Sequence, residues 1–133
     1  MPREDYAKKY KSQLIFLNGK IQDALTGIIA NSNQQPIIII QGDHGPRSMV
    51  NLWKPDDTLF SEAMSILLAC RLPNNDYHNF YNSVTPVNIF RIILNQYFGT
   101  GLQVLEDNSY FSTLQSYFKF IDVKDKITRE SSS

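Results

Sequence analysis

Asp43 and His44 stand side by side between two glycines, directly after Pro36-Ile37-Ile38-Ile39-Ile40-Gln41. A carboxylate and an imidazole in one short turn offer a hard oxygen and a borderline nitrogen, a donor pair suited to a divalent cation such as Zn, Mn, Ca or Mg. Gly45 and Pro46 shape the turn and let the backbone approach what is bound. A plainer use of the same residues is a turn cap, with Asp43 accepting backbone N–H bonds and His44 solvated. A metal centre needs three or four ligands, so two neighbours are only part of one. The polar loop that follows carries Arg47, Trp53 and Lys54, candidate substrate contacts; Trp53 equally suits an anchor that packs the loop down. The other histidine, His78, lies in Asn75-Asp76-Tyr77-His78-Asn79, which reads as a surface loop.

The elements that must position this pair are legible from periodicity. Tyr10, Leu14, Leu17, Ile21, Leu25 and Ile28 recur at three- and four-residue steps and predict one long amphipathic helix over the first thirty residues, closed by Asn31-Ser32-Asn33. The four isoleucines are too few for a membrane span and too β-branched for a comfortable helix. They predict a strand buried on both faces in the middle of a parallel sheet, and open sheets of that kind bind ligands beyond the strand carboxyl ends. Ser65–Leu72 predicts a second buried strand. Thr85-Pro86 predicts the N-cap and first residue of a helix that runs to Gly99. Tyr110-Phe111 and 117–123 predict a last strand or edge hairpin. The segment 124–133, charged and serine-rich, predicts a frayed, disordered tail. The fold class expected is α/β, with flanking helices.

Composition narrows the function. The chain has 133 residues, 42% hydrophobic and 20% charged, enough for one domain with a real core. Thirteen Lys+Arg balance thirteen Asp+Glu, so no basic surplus draws the chain to nucleic acid or an anionic membrane. Cys70 is the single cysteine and sits in an apolar run, a core thiol by its setting. There is no Gly-x-Ser-x-Gly elbow, and Gly42-Asp43-His44-Gly45 lacks the lysine and spacing of a phosphate-binding loop. No apolar stretch approaches membrane-spanning length and the N-terminus is polar, so a soluble chain is expected.

The order of a long helix, a hydrophobic strand and Gly42-Asp43-His44-Gly45 resembles the C-terminal part of the alkaline phosphatase/sulfatase superfamily. The resemblance covers roughly residues 6–99 by element order. Gly42 stands where the family usually has Ser. Ser83-Val84-Thr85-Pro86-Val87-Asn88-Ile89-Phe90-Arg91 with Tyr97-Phe98-Gly99 is similar to a branch of sulfatase-like, often membrane-anchored proteins. The resemblance implies an alkaline-phosphatase-like sheet, present as its C-terminal portion over residues 1–123. It also implies a metal-dependent hydrolase of phosphate or sulfate esters, or a phosphoglycerol-type transferase, in which Asp43 and His44 bind a divalent metal ion. The family's nucleophile and its other metal carboxylates come from an N-terminal half that nothing upstream of Tyr6 supplies; the chain by itself is then expected to be inactive. Relatives place this domain outside the cytoplasm.

Two readings follow. In the first, the chain is the C-terminal fragment of a sulfatase-like enzyme. It contributes the Asp43–His44 pair to a small-molecule ester site, needs the missing half, and is prone to self-association through an exposed sheet edge. In the second, it is a self-contained, non-catalytic α/β interaction domain that uses Trp53 and an aromatic C-terminus, Tyr and Phe totalling fifteen.

Overall fold

In the computed structural model, which describes residues 3–131, the chain is mixed α/β, with four α-helices and two small antiparallel sheets. Helix α1 (Arg3–Asn31) begins with Glu4 and Asp5 in its first turn, where carboxylates complement the helix dipole. Its last carbonyls are met locally: Asn31 Nδ2 donates to Gly27 O at 2.8 Å and Ser32 Oγ to Ile28 O at 2.6 Å. These bonds satisfy acceptors that a helix end leaves open, and they end it where the polar triplet predicts.

Strand β1 (Ile38–Gln41) pairs with β2 (Leu68–Arg71), Ile39 opposite Cys70. The pairing is antiparallel, which corrects the expected parallel sheet. The reason lies in the connection. Gly42 N–H donates to Leu67 O and Gly45 N–H to Ala63 O, both at 2.9 Å, so the chain leaves and re-enters the sheet at the same end. Only a 3-10 turn at Pro55–Asp57 and the single-turn helix α2 (Phe60–Ala63) lie between; no crossover helix carries the chain back. The second strand is also shorter than Ser65–Leu72, and Ile37–Ile40 are half-buried rather than buried on both faces.

Helix α3 (Pro86–Phe98) has Thr85 at its N-cap, Pro86 at its first position and Gly99 in the left-handed conformation (φ 63°) at its end, as predicted. It packs Ile89 and Ile93, with Leu72, against the Ile37, Ile39, Leu68 and Cys70 face of the sheet. On the opposite face, Ile21 and Leu25 of α1 share a loosely filled cavity of about 300 Å³ with Ile40, Leu67 and Ala69. Two strands are thus held between two helices.

The second core forms around Phe60, Phe111 and Val123, the two rings edge-to-face at 5.2 Å. It lies beneath the hairpin β3 (Tyr110–Thr113) and β4 (Ser116–Asp122). Residues Lys124–Glu130, expected to fray, form helix α4. Ile127 packs on this second core, and Glu130 Oε2 accepts the Ser61 N–H at 2.6 Å. The serine-rich composition concealed one apolar anchor, and that anchor is enough to dock a helix already held at both ends. Ser132 and Ser133 lie outside the described residues. Among the described residues, no helix is long and apolar enough to cross a membrane.

Candidate metal-binding site

Asp43 and His44 follow β1 in a bend at its carboxyl end. The bend is fixed by what lies behind it. A Cβ at Gly45 would stand 2.1 Å from the Glu62 carbonyl oxygen and 2.8 Å from those of Ala63 and Ser65. Only glycine lets the turn press against the end of α2, where its own N–H bonds Ala63 O. Next along, Glu62 Oε1 accepts both the Ser48 N–H at 3.2 Å and the Ser48 hydroxyl. Helix α2 therefore grips the Asp43–His44 turn at two points. Gly42 is different: a Cβ there meets only ordinary contacts of 3.5 Å and beyond, so a serine has room.

The imidazole has a defined tautomer. His44 Nδ1 lies 2.7 Å from the Gly45 carbonyl oxygen, which can only accept, so Nδ1 carries the proton. In the neutral ring Nε2 then presents its lone pair, the form that ligates metals, and the backbone carbonyl is a common orienting partner for such a histidine. Nε2 lies 3.7 Å from Asp43 Oδ2, and the two side chains are 45% and 90% exposed. Two ligands on one tetrahedral ion at about 2.1 Å stand roughly 3.4 Å apart, close to the spacing of this pair. Among the described residues no group of three or more His, Cys, Asp or Glu side chains converges on a metal position. The pair supplies two of the three or four donors that such a centre needs.

The pair borders a cavity of about 530 Å³ between the end of α2, the loop before α3 and the start of β3. Met64, Ile66, Leu68 and Val84 form its apolar wall; Ser65, Asn82, Thr85 and Ser109 add polar groups. The Thr85 hydroxyl is already taken by Asp107. The side chains of Ser65, Asn82 and Ser109 hold no hydrogen bond among the described residues, so they can meet a ligand's oxygens. Sequence reading missed them because lone polar residues in loops carry no spacing signal.

Asp107 was missed for the same reason. It accepts the Thr85 N–H at 2.8 Å and Asn88 Nδ2 at 3.0 Å through Oδ1, and the Tyr81 hydroxyl through Oδ2. It thereby caps α3 from outside the helix and fixes the cavity rim. Partial burial works to raise its carboxyl pKa, but the hydrogen bonds from Thr85, Tyr81 and Asn88 together hold it below its ordinary value. The same bond to Asp107 pushes the Tyr81 phenol up.

The remaining candidates do not reach this cavity. Trp53 is 60% exposed. The Trp53 and Lys54 backbones both bond Asn51 Oδ1, a local Asx turn. The Arg47 N–H bonds the Tyr6 hydroxyl of α1 at 3.0 Å. His78 is exposed, and its Nδ1 faces Asp76 Oδ1 within its own loop, which holds the Asp76 carboxyl below its ordinary value. Burial raises the Cys70 thiol, as suits a thiol packed beside α3. No family model, curated protein or solved structure matches the chain.

Proposed function

We propose that this chain is the C-terminal part of a sulfatase-like, metal-dependent phosphate or sulfate ester hydrolase, or of a phosphoglycerol-type transferase. It contributes Asp43 and His44 to a divalent-metal site. The observation that carries the reading is the His44 ring, held by Gly45 O with its Nε2 beside the Asp43 carboxylate at the mouth of a cavity. The bound cation would supply charge for the transferred group and activate a nucleophile. Ser65, Asn82 and Ser109 offer donors for the ester's oxygens along the far wall. The nucleophile and the further ligands come from polypeptide beyond the described residues, and the chain alone turns over no ester. The alternative, a non-catalytic interaction domain, is favoured by the hairpin, where Phe118 is 93% and Phe120 68% exposed.

Titration with Mn²⁺ or Zn²⁺, read by calorimetry and by the histidine ring signals in NMR, tests the proposal. One weak site is expected, shifting His44 and not His78, and lost in Asp43→Ala. Without metal, Asp43→Ala should leave stability unchanged if the residue serves as a ligand, and should cost about 1 kcal/mol if it caps the turn. Equal shifts at both histidines, or binding unchanged in Asp43→Ala, would remove the metal reading.

A further inference from the structure

The two edges of the β1–β2 sheet are not alike. The Gly42–Leu67 bond sets the alternation of the ladder: Ile38 and Ile40 bond inward to β2, so the N–H and C=O groups of Ile39 and Gln41 point outward. The β2 edge is blocked at one end only: Cys70 O and the Leu72 groups are covered, whereas the outward Leu68 N–H and C=O and the Cys70 N–H bond nothing among the described residues. The Tyr77 hydroxyl donates to Cys70 O at 3.1 Å and accepts the Leu72 N–H at 3.4 Å, and Leu72 O takes the Asn75 N–H at 3.1 Å. Nothing among the described residues bonds the outward groups of Ile39 and Gln41. This open edge carries no charge, no proline within the strand and no bulge, the devices by which edge strands are usually blocked.

The surface area points the same way. The chain exposes 9816 Å², whereas a compact monomer of 15.3 kDa exposes about 7,100 Å². The excess, roughly 2,700 Å², is more than the ~800 Å² per partner of a standard interface and fits the obligate class.

We infer that β1 pairs with β1 of a second copy of this chain, antiparallel about a two-fold axis normal to the sheet. The alternation limits the register. Outward groups must face outward groups, and the register that keeps the ladder within residues 37–41 sets Ile39 opposite Ile39, Ile37 opposite Gln41, and Ile38 opposite Ile40. This register exchanges bonds through the N–H groups of residues 37, 39 and 41, and Pro36, which has none, falls outside it. It sets β-branched residues against each other across the join. The axis keeps both copies of α3 on one face and both of α1 on the other. Helices seated over neighbouring strand pairs then stand about two strand spacings apart, roughly 9.6 Å, within the helix-packing range. Charge does not oppose the union, since the net charge is zero. The result is a four-stranded sheet β2-β1-β1-β2 between two helix layers. It does not depend on the metal site.

Light scattering after size exclusion, on the full chain from 1 to 100 µM, tests this. The expected mass is twice 15.3 kDa. Gln41→Pro removes an outward N–H and leaves the β1–β2 ladder intact; it should give a folded monomer by circular dichroism, and Gln41→Lys should weaken the dimer at least tenfold. Amide exchange at Ile39 and Gln41 should be slowed at least tenfold in the wild type at high concentration relative to Gln41→Lys. A wild-type monomer at 100 µM would overturn the inference and leave the edge to a different chain. A dimer undiminished in both variants, with Ile39 and Gln41 exchanging freely, would overturn it in favour of another surface such as the aromatic hairpin.

Discussion

At the residue scale, the Asp43–His44 turn depends on a glycine that carries no chemistry. Gly45 is buried with three backbone oxygens where a Cβ would go. Backbone oxygens at the end of a packed helix cannot swing aside as a side chain can. Gly45→Ala is therefore expected to cost about 3 kcal/mol or more in urea denaturation, with β1 and α2 prised apart. Gly42→Ser, three residues earlier, should change stability by less than about 1 kcal/mol, because its Cβ meets only ordinary contacts. If both glycines proved equally tolerant, the close approach that seats the Asp43–His44 turn against α2 would not exist in solution. Glycine spacing in the sequence marks both positions alike; only the surrounding oxygens tell them apart.

At the element scale, the start of α3 depends on Asp107, nineteen residues beyond Asn88. Thr85 and Pro86 mark the helix start correctly, yet Thr85 makes no cap bond of its own. Its N–H and hydroxyl go to Asp107 instead. The Asp107 carboxyl is held below its ordinary value of 3.8. A group whose pKa is lower folded than unfolded stabilises the fold above the unfolded value, and that contribution fades as pH falls through the folded value. Stability should therefore drop as pH falls below about 4, and Asp107→Asn should flatten part of that slope while costing about 1 kcal/mol at pH 7. The flattening is partial because Asp76, lowered by His78, titrates in the same direction. A slope identical in wild type and Asp107→Asn would show that the cap is not ionised in the folded chain.

At the scale of the whole molecule, α1 is the element least secured by packing. It runs 29 residues, about 43 Å, yet its side chains are exposed along nearly the whole length, with Tyr6, Ile21 and Leu25 half-buried. Isolated helices owe little stability to propensity alone. In the Gln41→Pro variant, amides of α1 outside the stretch near Ile21 and Leu25 are expected to exchange at least a hundredfold faster than those of Ile92 and Ile93, which are buried in α3. Equal protection would mean that α1 is covered by something other than this sheet.

The sequence by itself determined the local elements. Side-chain period and cap chemistry act within a few residues, so α1, α3 with its Thr85, Pro86 and Gly99 boundaries, the isoleucine strand and the aromatic hairpin were all legible. It also placed Asp43 and His44 together at a strand end, because adjacency in the chain guarantees adjacency in space. Tertiary structure alone decided the rest. The antiparallel return of β2 depends on hydrogen bonds from Gly42 and Gly45 to residues about twenty positions away. Helix α4 depends on a core into which one isoleucine fits. The cavity wall of Ser65, Asn82 and Ser109 gathers from three loops. Contacts between distant residues leave no periodic trace in a single chain, and they are what separates a donor pair in a turn from a pair that faces a cavity.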